Sequence, residues 1–286
     1  MTLHDTLAQA RSLLVAAGIG AEEAAVDVDL YARTILGWDR ARLITRLQAA
    51  TPSELEPRFS EWITRRARRE PSAYIVGTRE FWGLDFEVCP AVLIPRPETE
   101  FIVEEAVMRL RDAVAPRVVD VGTGSGCIAI AIAHELPRAR VTATDISGVA
   151  LEVARRNAAR NGVADRVEFV ETSYLDNVSG PFDAIVSNPP YVKERDRALV
   201  DRAVVKYEPH VALFGGEDGL SGVRAVLDAA GSRLAPGGFV IFEFGLGQDD
   251  EVREVVAGYP RYRVLYIKED LLGIPRTAVV QMDGRL

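Results

Sequence analysis

Asn188, Pro189, Pro190 and Tyr191 follow the apolar run Phe182 to Val186, and they make an unusual stop. Ending a strand takes only one breaker. Here Pro189 pushes Asn188 toward extended backbone, and neither proline carries an N–H. The loop therefore offers acceptors with few competing donors, namely the Asn188 side-chain oxygen and a proline carbonyl. Held rigidly, two such acceptors suit a planar nitrogen bearing two hydrogens, either an amide or an aromatic amine. Tyr191 adds a flat wall on which a planar group stacks. An amide nitrogen is a poor nucleophile because its lone pair is delocalised. Acceptors on both hydrogens favour a pyramidal nitrogen, aim its lone pair and stabilise the positive charge that develops there. By analogy with oxyanion-hole donors, each is worth about 2–4 kcal/mol in the transition state. We therefore expect Asn188, Pro189 and Tyr191 as catalytic positions, with Pro190 completing the substrate site. The bland alternative is a turn rich in Asn and Pro, and the segment upstream argues against it.

Upstream, Gly122, Thr123, Gly124, Ser125 and Gly126 stand directly after the strand-like run from Arg117 and open a helix-like run. Glycines at such a turn let a ligand approach the backbone without meeting a Cβ. Alone the spacing is a weak signal. Asp145 strengthens it by ending the next strand about 20 residues on, where an acid accepts from both hydroxyls of a ribose. The third glycine comes one residue too early for the dinucleotide fingerprint, so a pyrophosphate is not indicated. S-adenosylmethionine has no phosphate and carries a sulfonium cation, so it suits an acidic, glycine-lined loop better. Asp120 fits two roles equally, a cofactor contact or a cap on local backbone amides. Tyr174 fits two as well, lying against an adenine ring or packing.

The chain that must position these residues has 286 of them, comfortable for two domains. Hydrophobic residues make up 48% and charged residues 27%, as in soluble globular proteins. No apolar run approaches a membrane span, and the N-terminus lacks a basic-then-apolar signal pattern. Cys89 and Cys127 form no CxxC and read as reduced residues of a cytoplasmic protein. His4, His134 and His210 are scattered, so no metal is expected. A net charge of −8 gives no footprint for stable nucleic-acid binding. A protein or a small molecule is the better partner, and we expect a monomer.

Residues 1–75 read as helices. Leu3, Leu7, Ala10, Leu13 and Leu14 share one face before Gly18, and a second helix runs from about Glu22 to Leu36. A third is expected at Thr51, with Pro52 at its first position and Glu54 closing a capping box. Its tail, Arg65 to Arg69, reads as a solvated face before a partner-docking surface or an RNA contact. Residues 76–97 change period around Gly83 and form a hairpin and proline-rich joint. Residues 98–286 alternate short apolar strands with helices, which predicts an α/β fold with a covered parallel sheet.

With these segments in view, the chain resembles the protein-(glutamine-N5) methyltransferases that act on peptide chain release factors. The resemblance runs nearly end to end through "AYIVGTREFWGLDFEV", "LIPRPETE", "DVGTGSGCIAIAIA", "IVSNPPYV", "YEPHVALFGGEDGL" and "EDLLGIPRTAVV". "PRPETE" and "FGGEDGL" discriminate more sharply than "NPPY". The likeness implies a Rossmann-like S-adenosylmethionine-dependent methyltransferase domain, preceded by a small all-helical domain and a β-hairpin joint. It implies bacterial class I release factors as partners and the glutamine of their Gly-Gly-Gln motif as substrate. Gly122 to Gly126, Asp145 and Tyr174 would hold the cofactor, Asn188 would touch both substrates, and Arg96 or Glu98 would line the pocket. The rivals are a ribosomal-protein glutamine methyltransferase and, further off, an adenine-N6 methyltransferase, which the charge disfavours. An NAD-dependent oxidoreductase conflicts with the early glycine, and an inactive binding module with the filled site positions.

Overall fold

The computed structural model describes residues 1–283, and the chain divides into two compact units, Met1–Gly77 and Thr78–Leu286. The first is helical: α1 (Leu3–Ala16), α2 (Ala21–Leu36), α3 (Arg40–Thr45), α4 (Arg58–Ala67) and α5 (Ser72–Val76). Thr2 and Asp5 cap α1 reciprocally, and Gly37, left-handed at φ 62°, ends α2. Leu3, Leu7, Val28, Tyr31, Phe59 and Trp62 form the core between them.

Three expectations fail in this unit, wholly or in part. Leu13, expected on the inner face of α1, is exposed, because Leu14 takes the inward position beside it. Thr51 caps no helix: its hydroxyl lies 2.7 Å from the Thr6 hydroxyl, Pro52 is extended, and Ser53–Leu55 is a single 3-10 turn. The long helix begins later, at Arg58. A tertiary partner outcompetes the local cap. The basic run is a solvated face only at Arg68 and Arg69, which are exposed. Arg66 is buried, with Nε donating to Asp27 at 2.6 Å and Nη2 to Glu23, and Arg65 forks onto Glu70. Arg69 donates to the Gly18 carbonyl. These guanidiniums bind the helices to one another.

In the second unit β1 (Thr78–Phe81) and β2 (Leu84–Glu87) form a hairpin whose turn residues, Trp82 and Gly83, both have positive φ. After α6 (Glu100–Leu110) come β3 (Arg117–Val121), α7 (Cys127–Glu135), β4 (Arg140–Asp145), α8 (Gly148–Arg160), β5 (Val167–Glu171) and β6 (Phe182–Ser187). There follow α9 (Arg202–Tyr207), α10 (Ser221–Ala230), β7 (Leu234–Glu243), α11 (Asp249–Ala257), β8 (Tyr262–Glu269) and β9 (Pro275–Met282).

The seven strands lie in the order β5-β4-β3-β6-β7-β9-β8. The first five run parallel, whereas β9 is antiparallel to both β7 and β8, so the expected parallel sheet carries an antiparallel edge. The short link from Glu269 to Pro275 permits nothing else. Apolar cores cover both faces, one built with α6 and α7 and the other with α10 and α11. From β3 the chain steps outward to β4 and β5, then returns to β6 on the other side of β3. That reversal opens a crevice at the carboxyl ends of β3, β4 and β6.

Candidate active site

At this crevice lies a cavity of about 270 Å³. Gly122, Thr123, Gly124, Ser125, Asp145, Tyr174, Asn188, Pro189 and Pro190 all line it, so the structure gathers most of the expected positions. Gly126 and Tyr191 are not among the lining residues. Arg96 and Thr99 line it too, whereas Glu98 does not.

The glycine loop leaves β3 with Gly122 at φ 73° and Gly124 at φ 56°, and a Cβ on either would meet nothing within 4 Å. These positions form a cradle that side chains would fill. Gly126 is different. Its φ is 84°, and a Cβ there would come within 2.9 Å of Ile130 Cδ1 and 3.0 Å of Ala154 Cβ. It is a packing residue where α7 meets α8.

Asp145 Oδ2 accepts from Gly124 N at 2.9 Å, and Oδ1 accepts from Ser147 N at 2.9 Å. The acid thus fixes the loop and stays half-buried at the cavity. Asp120 proves to be the backbone cap. It is fully buried, and its Oδ2 accepts from the Thr123 hydroxyl at 2.6 Å and from Ala129 N at 3.2 Å. Burial raises its carboxyl to about 7, against the pull of those two donors. Tyr174 sits at the cavity rim with φ 48°, and Thr144 holds its carbonyl at 2.9 Å. Asn157 of α8 was not legible in advance: its Nδ2 donates to Ser125 O at 2.9 Å and to Glu87 O at 3.0 Å, tying the loop to the hairpin.

The proline loop is clamped from behind. A Cβ on Gly215 would fall 2.3 Å from Pro190 O, one on Gly219 2.3 Å from Tyr191 O, and one on Gly222 2.9 Å from Pro189 Cβ. This close approach explains Gly215 and Gly219 of "FGGEDGL" and Gly222 just beyond it. Gln248 Nε2 donates to Tyr191 O at 3.1 Å. In front, Glu208 is buried and accepts from Arg96 Nη2 at 2.5 Å and Ile94 N at 3.1 Å, which joins "IPRPETE" to "YEPH".

Three further side chains complete the site. Asn188 Nδ2 donates to Thr99 Oγ1 at 2.9 Å, and Thr99 Oγ1 donates to Glu243 Oε2 at 2.6 Å. Tyr191 OH donates to the other oxygen, Glu243 Oε1, at 3.0 Å. Thr99 and Glu243 are buried, and burial raises the Glu243 carboxyl while the two hydroxyl donors oppose that. Burial, reinforced by Glu243, raises the Tyr191 phenol. Tyr191 is therefore anchored through its hydroxyl. Among the described residues no donor reaches Asn188 Oδ1 or the Pro189 carbonyl. No local sequence pattern announces this pair, because Thr99 and Glu243 meet across 144 positions.

What the arrangement can do is hold a nucleoside over Gly122 and Gly124 beside Asp145, with a primary amide at Asn188 and Pro189. S-adenosylmethionine fits these residues: the open glycine cradle admits it, Asp145 offers a carboxylate, and the cation on the cavity wall, Arg96, is neutralised by its pair with Glu208. Among the described residues no cluster of potential metal ligands occurs, and no helix is long and apolar enough to cross a membrane.

Known proteins agree with this chemistry. The methyltransferase small domain matches residues 99–216, and the PrmC N-terminal domain matches residues 5–77. The release factor glutamine methyltransferase of Bradyrhizobium diazoefficiens is 43% identical over 89% of this chain and 87% of its own length. That of Moorella thermoacetica is 40% identical over 96% and 97%. Among solved structures, a methyltransferase from Pyrococcus furiosus superposes with a TM-score of 0.52 at 24% identity, covering 71% of this chain and 90% of that one. The hMettl16 catalytic domain, solved with an RNA hairpin, gives 0.57 at 18% identity, covering 79% and 83%. At these identities the two structures speak to the fold alone. With relatives of 40% identity and more matching nearly from end to end, the chain belongs to the release factor glutamine methyltransferase family.

Proposed function

We propose that this chain transfers a methyl group from S-adenosylmethionine to the side-chain amide nitrogen of the glutamine in the Gly-Gly-Gln motif of class I release factors. One observation carries the reading. Asn188, tied to Thr99 by one end of its amide, stands on the same cavity as Gly122, Gly124 and Asp145. The cofactor supplies an electrophilic methyl on its sulfonium. Everything else falls to the chain's own groups.

Asp145 and the glycine loop hold the nucleoside portion. Asn188 Oδ1 and the Pro189 carbonyl accept one amide hydrogen each, which turns the nitrogen lone pair out of conjugation and toward the methyl. Both dipoles are fixed beforehand, so they stabilise the positive charge that develops on the nitrogen without reorganising, and the nitrogen then releases one of its two protons to solvent. Tyr191 holds the loop from behind through Glu243, and Arg96 borders the cavity beside it. Every residue named comes from one chain, so a monomer suffices. The net charge of −8 supports a protein substrate over stable nucleic-acid binding, and the free Cys89 and Cys127 suit a reducing cytoplasm.

Tandem mass spectrometry of a release factor and, in a parallel reaction, of ribosomal protein, each incubated with the chain and S-adenosylmethionine, tests this. A methyl group on the motif's glutamine nitrogen supports it. Methyl found only on ribosomal protein would keep the amide chemistry and overturn the substrate.

A further inference from the structure

The buried Glu243 lies behind the cavity, and the mechanism uses it only as the anchor of Tyr191. It is a carboxyl at the end of β7, 2% exposed, and both its oxygens receive hydroxyl donors from the site. An ionised carboxylate only accepts. Thr99 must then spend its single proton on Glu243, so Thr99 Oγ1 has only acceptor capacity left for Asn188. That obliges Asn188 to present Nδ2 to Thr99 and leaves Oδ1 for the cavity. Without this constraint the two ends of an Asn amide are near equivalents in shape. With it, only one orientation is satisfied.

We propose that Glu243 is a positioning residue of methyl transfer, which acts through Thr99 to hold Asn188 with its oxygen toward the substrate amide and through Tyr191 to hold the proline loop. The proposal rests on the function read above and deepens it. Its consequence is a proton-controlled orientation. Protonated, Glu243 gains a donor of its own. If that proton goes to Thr99, the Thr99 hydroxyl reverses and donates to Asn188, whose amide then turns and offers N–H to a substrate that also offers only N–H. The groups facing Glu243 are Thr99 on the segment before α6, Tyr191 after β6, and the charges of Glu98 and Arg276, which act in opposite directions. Burial raises the Glu243 carboxyl, so the reversal sets in at a higher pH than an exposed glutamate would titrate.

The test has two arms. In the first, side-chain amide signals of nitrogen-15-labelled protein are followed by NMR against pH, with no substrate present. The Asn188 pair is assigned by its loss in Asn188→Asp. The pair should shift through one titration in the wild type and stay level in Glu243→Gln. In the second arm, steady-state methylation of a release factor is measured. Glu243→Gln should lower kcat by about 10- to 100-fold, with the S-adenosylmethionine KM changed far less. Because Glu243→Gln can fail to fold, Thr99 provides a second pair. Thr99→Ser keeps the hydroxyl and should turn over about tenfold faster than Thr99→Val, which lacks it. An Asn188 pair that does not titrate, or equal kcat in Thr99→Ser and Thr99→Val, overturns the proposal. A wild type that titrates at Asn188 yet methylates no release factor would overturn the proposed function and leave the positioning intact.

Discussion

Thr99 Oγ1 accepts a hydrogen bond from Asn188 Nδ2 at 2.9 Å, joining residues 89 positions apart. One comes from the "IPRPETE" segment and the other from the loop after β6. Neither segment alone says which end of the Asn188 amide faces the cavity. Together they do, because Thr99 in turn donates to Glu243.

Asn188→Ala removes one of two acceptors for the amide hydrogens. We expect kcat to fall by about 30- to 1000-fold, the equivalent of 2–4 kcal/mol. Binding of S-adenosylmethionine, measured by calorimetry, should stay within severalfold of wild type. Turnover near the wild-type rate would refute the two-acceptor arrangement.

Gly124 and Gly126 should separate binding from folding. Gly126→Ala drives a Cβ to 2.9 Å from Ile130 Cδ1 at φ 84°, and should cost about 1–3 kcal/mol of stability from overpacking. Gly124→Ala meets no neighbour within 4 Å, so its loss of stability should be confined to a left-handed backbone cost of about 1–2 kcal/mol. Its new methyl enters the cradle instead and should weaken S-adenosylmethionine binding. Thermal scans and calorimetry on both variants check the contrast, and the opposite pattern would exchange the roles assigned to the two glycines.

How far the sequence reached can be judged from these same residues. The alternation of apolar strands and helices was legible because each element carries its own period. Gly122, Asp145 and Asn188 were legible because each stands at the carboxyl end of a strand. Thr99 and Glu243 were not, since their meeting depends on β7 lying beside β6 and no local pattern announces a neighbour. Thr51 shows the opposite failure: a sound capping signal lost to the hydroxyl of Thr6. Arg66 looked like one charge in a solvated run, yet Asp27 and Glu23 of α2 draw it inside. The antiparallel edge was misjudged because the short link between Glu269 and Pro275 was not read as a turn.

Asp120 should leave a mark on stability against pH. Its carboxyl rises from 3.8 to about 7 on folding. Between those values the folded chain holds a proton that the unfolded chain has released. This stabilising contribution is full below about pH 4 and is lost as pH rises through 7, at up to about 1.4 kcal/mol per unit. From about pH 5 to 8 the Tm of Asp120→Asn should therefore fall less than that of the wild type. Parallel curves would show that Asp120 is already ionised in the folded chain.

Arg66→Ala strands Asp27, which is buried and also accepts from the Ser72 hydroxyl. Removing one partner of such a pair costs about 3–5 kcal/mol. Urea denaturation should show a loss of that order, and a change below about 0.5 kcal/mol, typical of surface positions, would return the basic run to the solvent.

The acceptors at Asn188 and Pro189 are built for one side chain, the glutamine of the Gly-Gly-Gln motif. The most direct measurement is transfer of labelled methyl from S-adenosylmethionine to a purified class I release factor, beside a variant whose Gly-Gly-Gln glutamine is alanine. The account predicts label on the intact factor and none on the variant. Equal label on both would contradict it, since the methyl would then lie somewhere the Asn188 and Pro189 acceptors were not built to hold.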